Sequence, residues 1–342
     1  MEKIDFVVTW LDSDDPEWIA QYNQYRPEKP ISDRGRFREW GIFRYWFRAV
    51  EKYAPWVNKV FLVTNGKYPD WINEECPKLV LVKHSDYIDE KFLPTFNAAT
   101  IELNMDKIEG LSETFVYFND DMILNAPVTP DFYFRNGLPC DCNAETLLIN
   151  PWWDPVEQYS IKINIFCDVA VLNHNFNRRE VIRQNRKNWF GPHLWNGFFL
   201  FNMILHFLVY FQFFRWRHWE QPTLKSVIRA IWEKEPDMMA KSCSRFRQDV
   251  GLTSYIIRYW QFASNRFHPV KWGGGKVFNI GKDNVEEVCK ALLDEKLKSV
   301  CLNDHPGLKE EDFPQVRETI LRVFERKFPQ PSMFEKEGSL IH

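Results

Sequence analysis

The run Thr114-Phe115-Val116-Tyr117-Phe118, followed at once by Asn119-Asp120-Asp121, constrains this chain more than any other stretch. β-Branched and aromatic residues in such a run read as a buried strand. Open α/β sheets bind their ligands beyond the C-terminal ends of their strands, which is where the two carboxylates fall. Adjacent carboxylates repel unless a cation or a proton lies between them, and a hard divalent ion bridging phosphate oxygens suits that position. An exposed Asn-Asp-Asp turn accounts for the same letters, so the rest of the chain has to decide.

The first 125 or so residues repeat the pattern. Residues 4–10 read as a first strand running into acidic Asp12, Asp14 and Asp15. A second, Val60-Phe61-Leu62-Val63, ends in Thr64-Asn65-Gly66, and a third, Leu79-Val80-Leu81-Val82, ends in Lys83-His84-Ser85-Asp86. Between them Ile42, Tyr45, Trp46, Ala49, Val50 and Tyr53 keep helical spacing, with Arg44 and Arg48 four apart on one face. Strands alternating with helices predict an α/β fold, a doubly wound, mostly parallel sheet of the nucleotide-sugar-binding (GT-A-like) kind with a helical insertion. The expected division is 1–126 for the nucleotide-sugar-binding part and 127–222 for an irregular, basic and apolar insertion. A helical part completing the active site follows at 223–328, then a flexible tail at 329–342.

Composition narrows the partners. A formal charge of −3 over 342 residues lacks the basic footprint of a nucleic-acid binder. With 15 Trp and 29 Phe, the chain has aromatic residues for a large core and for apolar surface besides. The seven cysteines are scattered, and Cys140-Asp141-Cys142 has no second pair to complete a zinc site. Thiols without a disulfide framework, and no leader after Met1, predict a cytoplasmic location. Gly273-Gly274-Gly275-Lys276 lacks the Ser/Thr and the spacing of a phosphate-binding loop and reads as a turn.

The stretch 197–214 is almost wholly apolar, interrupted by Asn202, His206 and Gln212. Its 18 residues sit at the lower edge of a membrane span. A span would also part the Asp-Asp pair from everything beyond it. Two readings stay open: a buried core helix, or peripheral membrane contact through 197–217 beside a basic segment carrying Arg178, Arg179, Arg183, Arg186 and Lys187.

Four separated blocks carry a family resemblance. They are Ile4 to Asp12 with Asp15-Pro16; Phe37-Arg38-Glu39-Trp40-Gly41 through Leu93-Pro94-Thr95-Phe96-Asn97 to Phe118-Asn119-Asp120-Asp121; His218 with Gln221-Pro222 and Phe246-Arg247; and Cys301-Leu302-Asn303-Asp304. In these the chain resembles the stealth proteins, bacterial capsular polysaccharide phosphotransferases related to the catalytic subunit of the lysosomal-enzyme N-acetylglucosamine-1-phosphotransferase. It departs from them at Ser13, where the family has Gly, and at Trp219-Glu220, where it has a more apolar pair.

The resemblance implies metal-dependent transfer of a sugar 1-phosphate from a nucleotide sugar to a saccharide hydroxyl, forming a phosphodiester in cell-surface polysaccharide synthesis. It implies Mg²⁺ or Mn²⁺ on Asp120, Asp121 and Asp304. His218 is the expected general base, and Arg247 and Arg44 the expected phosphate clamps. Thr9, Trp10 and Asp12 are expected at the nucleoside, with Thr64, Asn65, His84, Asn97 and Asn119 along the same sheet edge as sugar and phosphate contacts. The implied partners are a nucleotide-sugar donor, UDP-N-acetylhexosamine first among candidates, and a saccharide acceptor, free or lipid-linked, on the inner face of the plasma membrane. The rival functions are an ordinary glycosyltransferase on the same fold and a polysaccharide- or membrane-binding protein without turnover.

Overall fold

The computed structural model describes residues 3–26, 38–147, 159–195, 198–205, 207–305 and 307–338. Phe37, Gly197 and His206, named above, lie outside the described residues.

Strands β1 (Ile4–Thr9), β2 (Val60–Thr64), β3 (Leu79–Lys83) and β4 (Thr114–Asn119) are mutually parallel and lie in the order β3-β2-β1-β4. The apolar runs become strands because both faces of such a sheet are covered, so every position can be buried. Residues 4–8, 60–64 and 114–118 are buried throughout. The chain moves outward from β1 to β2 and β3, then returns to the other side of β1 as β4. That reversal opens a crevice past the ends of β1 and β4, where Thr9 is paired with Asn119.

Two joins complete the frame. Strand β6 (Gln221–Leu224) adds antiparallel to β4, with Gln221 opposite Tyr117. It therefore starts beside the C-terminal end of β4 and brings His218, three residues earlier, to the crevice. Strand β5 (Met122–Leu124) follows Asp121 at once and pairs antiparallel with β8 (Ser299–Asp304), Met122 opposite Cys301, while β8 lies parallel to β7 (Gly275–Ile280). Asp120-Asp121 is the corner between two sheets.

Helices α1 (Pro16–Tyr25) and α2 (Phe43–Tyr53) follow β1, and short α3 (Ala98–Glu102) precedes β4. Helix α2 buries Phe43, Tyr45, Trp46, Phe47, Ala49, Val50 and Tyr53, each large side chain worth roughly 1.5–3 kcal/mol of removed apolar surface. Arg48 is buried among them and satisfied by a fork to Glu335, at 2.7 and 2.6 Å, plus the Phe328 carbonyl at 2.9 Å. Within the described part of the expected tail, Ser332, Phe334 and Glu335 are buried, Glu335 as the counter-charge of Arg48.

The insertion holds α4 (Tyr159–Asn175), α5 (Arg178–Gln184) and α6 (Phe198–Leu205). Further on come α7 (Tyr255–Ala263) and α8 (Phe313–Lys327). The apolar stretch is not one helix: α6 ends at Leu205, and Phe213–Phe214 pairs as a short strand with Glu145–Thr146. Among the described residues no helix is long and apolar enough to cross a membrane.

Candidate active site

The crevice between β1 and β4 holds a cavity of about 180 Å³ lined by Thr9, Ala98, Ile101, Tyr117, Asn119, Asp120 and Asp121. Against its wall, ligating atoms of Asp121, His218 and Cys301 lie within 4.8 Å of one another. The convergence follows from the two joins: β6 delivers His218 and β8 delivers Cys301, each registered against the strand flanking the aspartates. The Leu302 amide donates to the Asp121 carbonyl at 2.9 Å and fixes the corner.

Two half-buried carboxylates side by side are costly as ions. Burial first, then Asp121 and Glu39, push the Asp120 carboxyl up to about 8. Burial also raises Asp121, opposed by His218 and by the Cys301 thiol, which donates to Oδ2 at 3.5 Å. Asp121 Oδ1 is buried and has no hydrogen-bond partner. An orphaned oxygen beside a pair that otherwise has to hold a proton fits a divalent cation. Cys301 itself is pushed well above the ordinary thiol range by burial and Asp121, in keeping with the proton it donates to Asp121 Oδ2.

The His218 ring is steered from behind. Tyr255 Oη donates its one proton to the Arg217 carbonyl at 3.0 Å and lies 3.4 Å from His218 Nδ1. It can therefore only accept from Nδ1–H, which leaves the Nε2 lone pair open to take a proton. The segment is held by Arg217, which shares the buried Asp141 carboxylate with Arg258 of α7, at 3.1 and 2.6 Å. Burial would raise Asp141, but the two guanidiniums keep it below the usual range.

On the opposite wall Tyr117 Oη lies 2.5 Å from Asn119 Oδ1, 2.9 Å from Glu102 Oε1 and 3.3 Å from Thr9 Oγ1. Burial raises the Glu102 carboxyl, with Ser254, Tyr117 and Arg247 opposing. Arg247 lines neither cavity and is close enough to Glu102 to act on it through its charge.

A second cavity of about 330 Å³ opens past β1 and β2. Its walls include Trp10, Asp12, Arg44, Lys67, Trp71 and Arg317. Trp10 stacks on Phe43, centroids 5.8 Å apart and planes 9° apart. Arg44 packs over Trp71 at 5.3 Å, with Glu335 4.0 Å from its Nη1. Lys67 grips Asp12 at 2.7 Å and Asp15 at 3.3 Å. Thr64 and Asn65 build the loop that presents it, accepting from the Gly66 and Lys67 amides. Gly41, at φ +72°, holds the left-handed backbone that favours glycine, and a Cβ there would sit 2.6 Å from the mobile Nη2 of Arg317.

Several expected residues stand elsewhere. Asn97 caps α3: its Oδ1 accepts from the Ala99 amide at 3.1 Å and its Nδ2 points to the Ser242 carbonyl and Ser244, so its side chain is spent on the fold. Asp304 lies on β8 with Arg38 at 3.7 Å and is not in the ligand group around Asp121. His84 lines neither cavity, and burial drives its imidazole down to about 4. Cys301, Glu102, Tyr117, Glu39 and Lys67 were not anticipated as site residues. Their roles depend on distant partners, although the alternation along β4 does put Tyr117 on the face of Asn119.

Residues 36–140 match the profile of Stealth protein CR2, conserved region 2. A capsular polysaccharide phosphotransferase, WcwK of Streptococcus pneumoniae, is 36% identical over 346 residues, covering 98% of this chain and 99% of that one. The exopolysaccharide phosphotransferase cps2G of Lactiplantibacillus plantarum is also 36% identical, over 97% of this chain and 96% of its own. Among solved structures, the bifunctional glycosyltransferase WbbM superposes with a TM-score of 0.39 at 11% identity, over 95% of this chain and 52% of that one.

Proposed function

The chain belongs to the Stealth family, and from that premise we propose that it is a bacterial polysaccharide phosphotransferase moving a sugar 1-phosphate from a nucleotide sugar to a saccharide hydroxyl. The observation that carries this reading is the meeting of Asp121, His218 and Cys301 at the mouth of the β1/β4 crevice.

Phosphoryl transfer of this kind needs positioning and charge neutralisation more than covalent help. The second cavity supports a nucleoside diphosphate: aromatic rings for the base, and Lys67, Arg44 and Arg317 for phosphate oxygens. The smaller cavity suits the sugar-bearing phosphate, next to Asp120 and Asp121. These two carboxylates would hold Mg²⁺ or Mn²⁺, which when bound neutralises phosphate charge. The acceptor oxygen attacks the phosphorus that carries the sugar. The bond from that phosphorus to the bridging oxygen breaks, and the nucleoside monophosphate leaves. His218 Nε2 takes the acceptor's proton.

The test is incubation of the purified chain with a panel of nucleotide sugars and a saccharide acceptor, with and without Mg²⁺. Released nucleoside monophosphate together with a phosphodiester phosphorus resonance supports the reading. Released nucleoside diphosphate without a phosphodiester overturns it in favour of an ordinary glycosyltransferase, and no release at all leaves a binding protein.

A further inference from the structure

Helix α6 buries Leu205 and Asn202 and turns other apolar side chains outward. Its inward polar residue, Asn202, is 1% exposed and accepts from the Glu145 amide at 3.0 Å. Its outward positions are Leu200, Met203 and Ile204, and the face continues at Phe207; Ile204 is 67% and Phe207 82% exposed. That spacing makes one apolar stripe turned toward solvent. The stripe has neighbours of the same character. Tyr210 is exposed just beyond it. On α4, Ile163 and Phe166 also face outward, and the Phe166 ring lies 6.4 Å from that of Phe213.

Arg179 ties a cationic segment to this surface. Arg179, Arg183, Arg186 and Lys187 are exposed on and just after α5, and Arg179 donates to the Phe207 carbonyl at 3.2 Å. Glu180 is the one acid between 178 and 187. An apolar stripe edged by positive charge complements a bilayer carrying anionic headgroups. The same charge opposes a second copy of the chain, because a two-fold contact sets like patches face to face.

We propose that this surface, centred on Ile204 and Phe207 and edged by Arg179 and Arg183, docks the protein on an anionic lipid bilayer. The proposal is independent of the reaction, since vesicle binding is read without turnover. The purified chain is sedimented with phosphatidylcholine vesicles containing phosphatidylglycerol and with pure phosphatidylcholine vesicles. It is expected to pellet with the first, less with the second, and less at high salt. Ile204→Glu with Phe207→Glu is expected to reduce partition about tenfold or more, with an unchanged circular dichroism spectrum. Tyr210→Glu, outside the helix, provides a second variant should the first misfold, and Arg179→Glu with Arg183→Glu should erase the preference for phosphatidylglycerol. A wild-type chain that stays in the supernatant, or folded variants that pellet like it, overturns the proposal. A dimer in sedimentation velocity that the glutamate variants dissolve, with no vesicle binding, assigns the surface to self-association and overturns it equally.

Discussion

The Cys301 thiol donates to the Asp121 carboxylate at 3.5 Å, although 180 positions of chain separate them. The bond exists because β5 and β8 pair with Met122 opposite Cys301. It occupies one carboxylate oxygen, Oδ2, and leaves the other, Oδ1, without a hydrogen-bond partner. Removing the thiol frees that carboxylate to turn. Cys301→Ala is expected to weaken Mn²⁺ binding about tenfold to a hundredfold, measured by calorimetry, and Cys301→Ser to recover most of the loss. Equal metal affinity in all three proteins would show the thiol to be mere packing.

Asp120→Ala and Asp121→Ala each remove charge from the proposed cation site. Transfer should fall about a thousandfold, read as nucleoside monophosphate release, with an unaltered circular dichroism spectrum. The rise in melting temperature that Mn²⁺ gives the wild-type protein should vanish in both. A retained metal-induced rise would exclude these carboxylates as ligands.

Replacing His218 by Ala removes the proposed base and leaves the donor contacts in place. The turnover rate should drop about a hundredfold or more while the donor KM stays close to wild type. Donor KM rising with no change in turnover would move His218 from base to binding residue. Tyr255→Phe, which strips the acceptor from Nδ1–H, should lower turnover in the same direction but by less.

His193 gives a pH signature separate from the site. It is buried, its Nε2 lies 3.0 Å from Asn143 Oδ1, and burial lowers its imidazole from 6.5 to about 4. The unfolded chain therefore takes up a proton near pH 6.5 that the folded chain refuses until about pH 4. Its contribution is complete above that upper value and declines as the medium is acidified between the two, amounting to about 2–4 kcal/mol. Urea denaturation at neutral and mildly acid pH should show His193→Gln losing less stability on acidification than wild type. Parallel losses would mean that His193 is not the group responsible.

The parallel sheet was legible because strands covered on both faces are written as continuous apolar runs, and the Asp-Asp corner because a polar cluster ends each run. Strand β6 was not legible: Gln221-Pro222-Thr223-Leu224 has neither alternation nor an apolar run, and proline is tolerated there because the strand lies at the sheet's edge. Asn97 carries two messages in the sequence. An Asn just before Ala98-Ala99-Thr100 is a helix cap in local terms, whereas the motif it stands on points to a ligand contact, and its side chain makes the cap. Glu102 and Cys301 were opaque, since nothing in their surroundings along the chain names Tyr117 or Asp121 as partner. The apolar stretch at 197–214 shows its hydrophobicity but not which side chains face solvent, because a helix with an exposed apolar stripe and a core helix share one periodicity.

The fork between Arg48 and Glu335 makes α2, and with it the wall that carries Arg44, hostage to residues far downstream. A chain cut short before position 332 would keep every motif-bearing strand yet bury an arginine with no counter-ion. Such an omission costs about 3–5 kcal/mol. Premature stops or trimmed expression boundaries near that point should therefore give protein that is lost to proteolysis rather than protein that is merely slow.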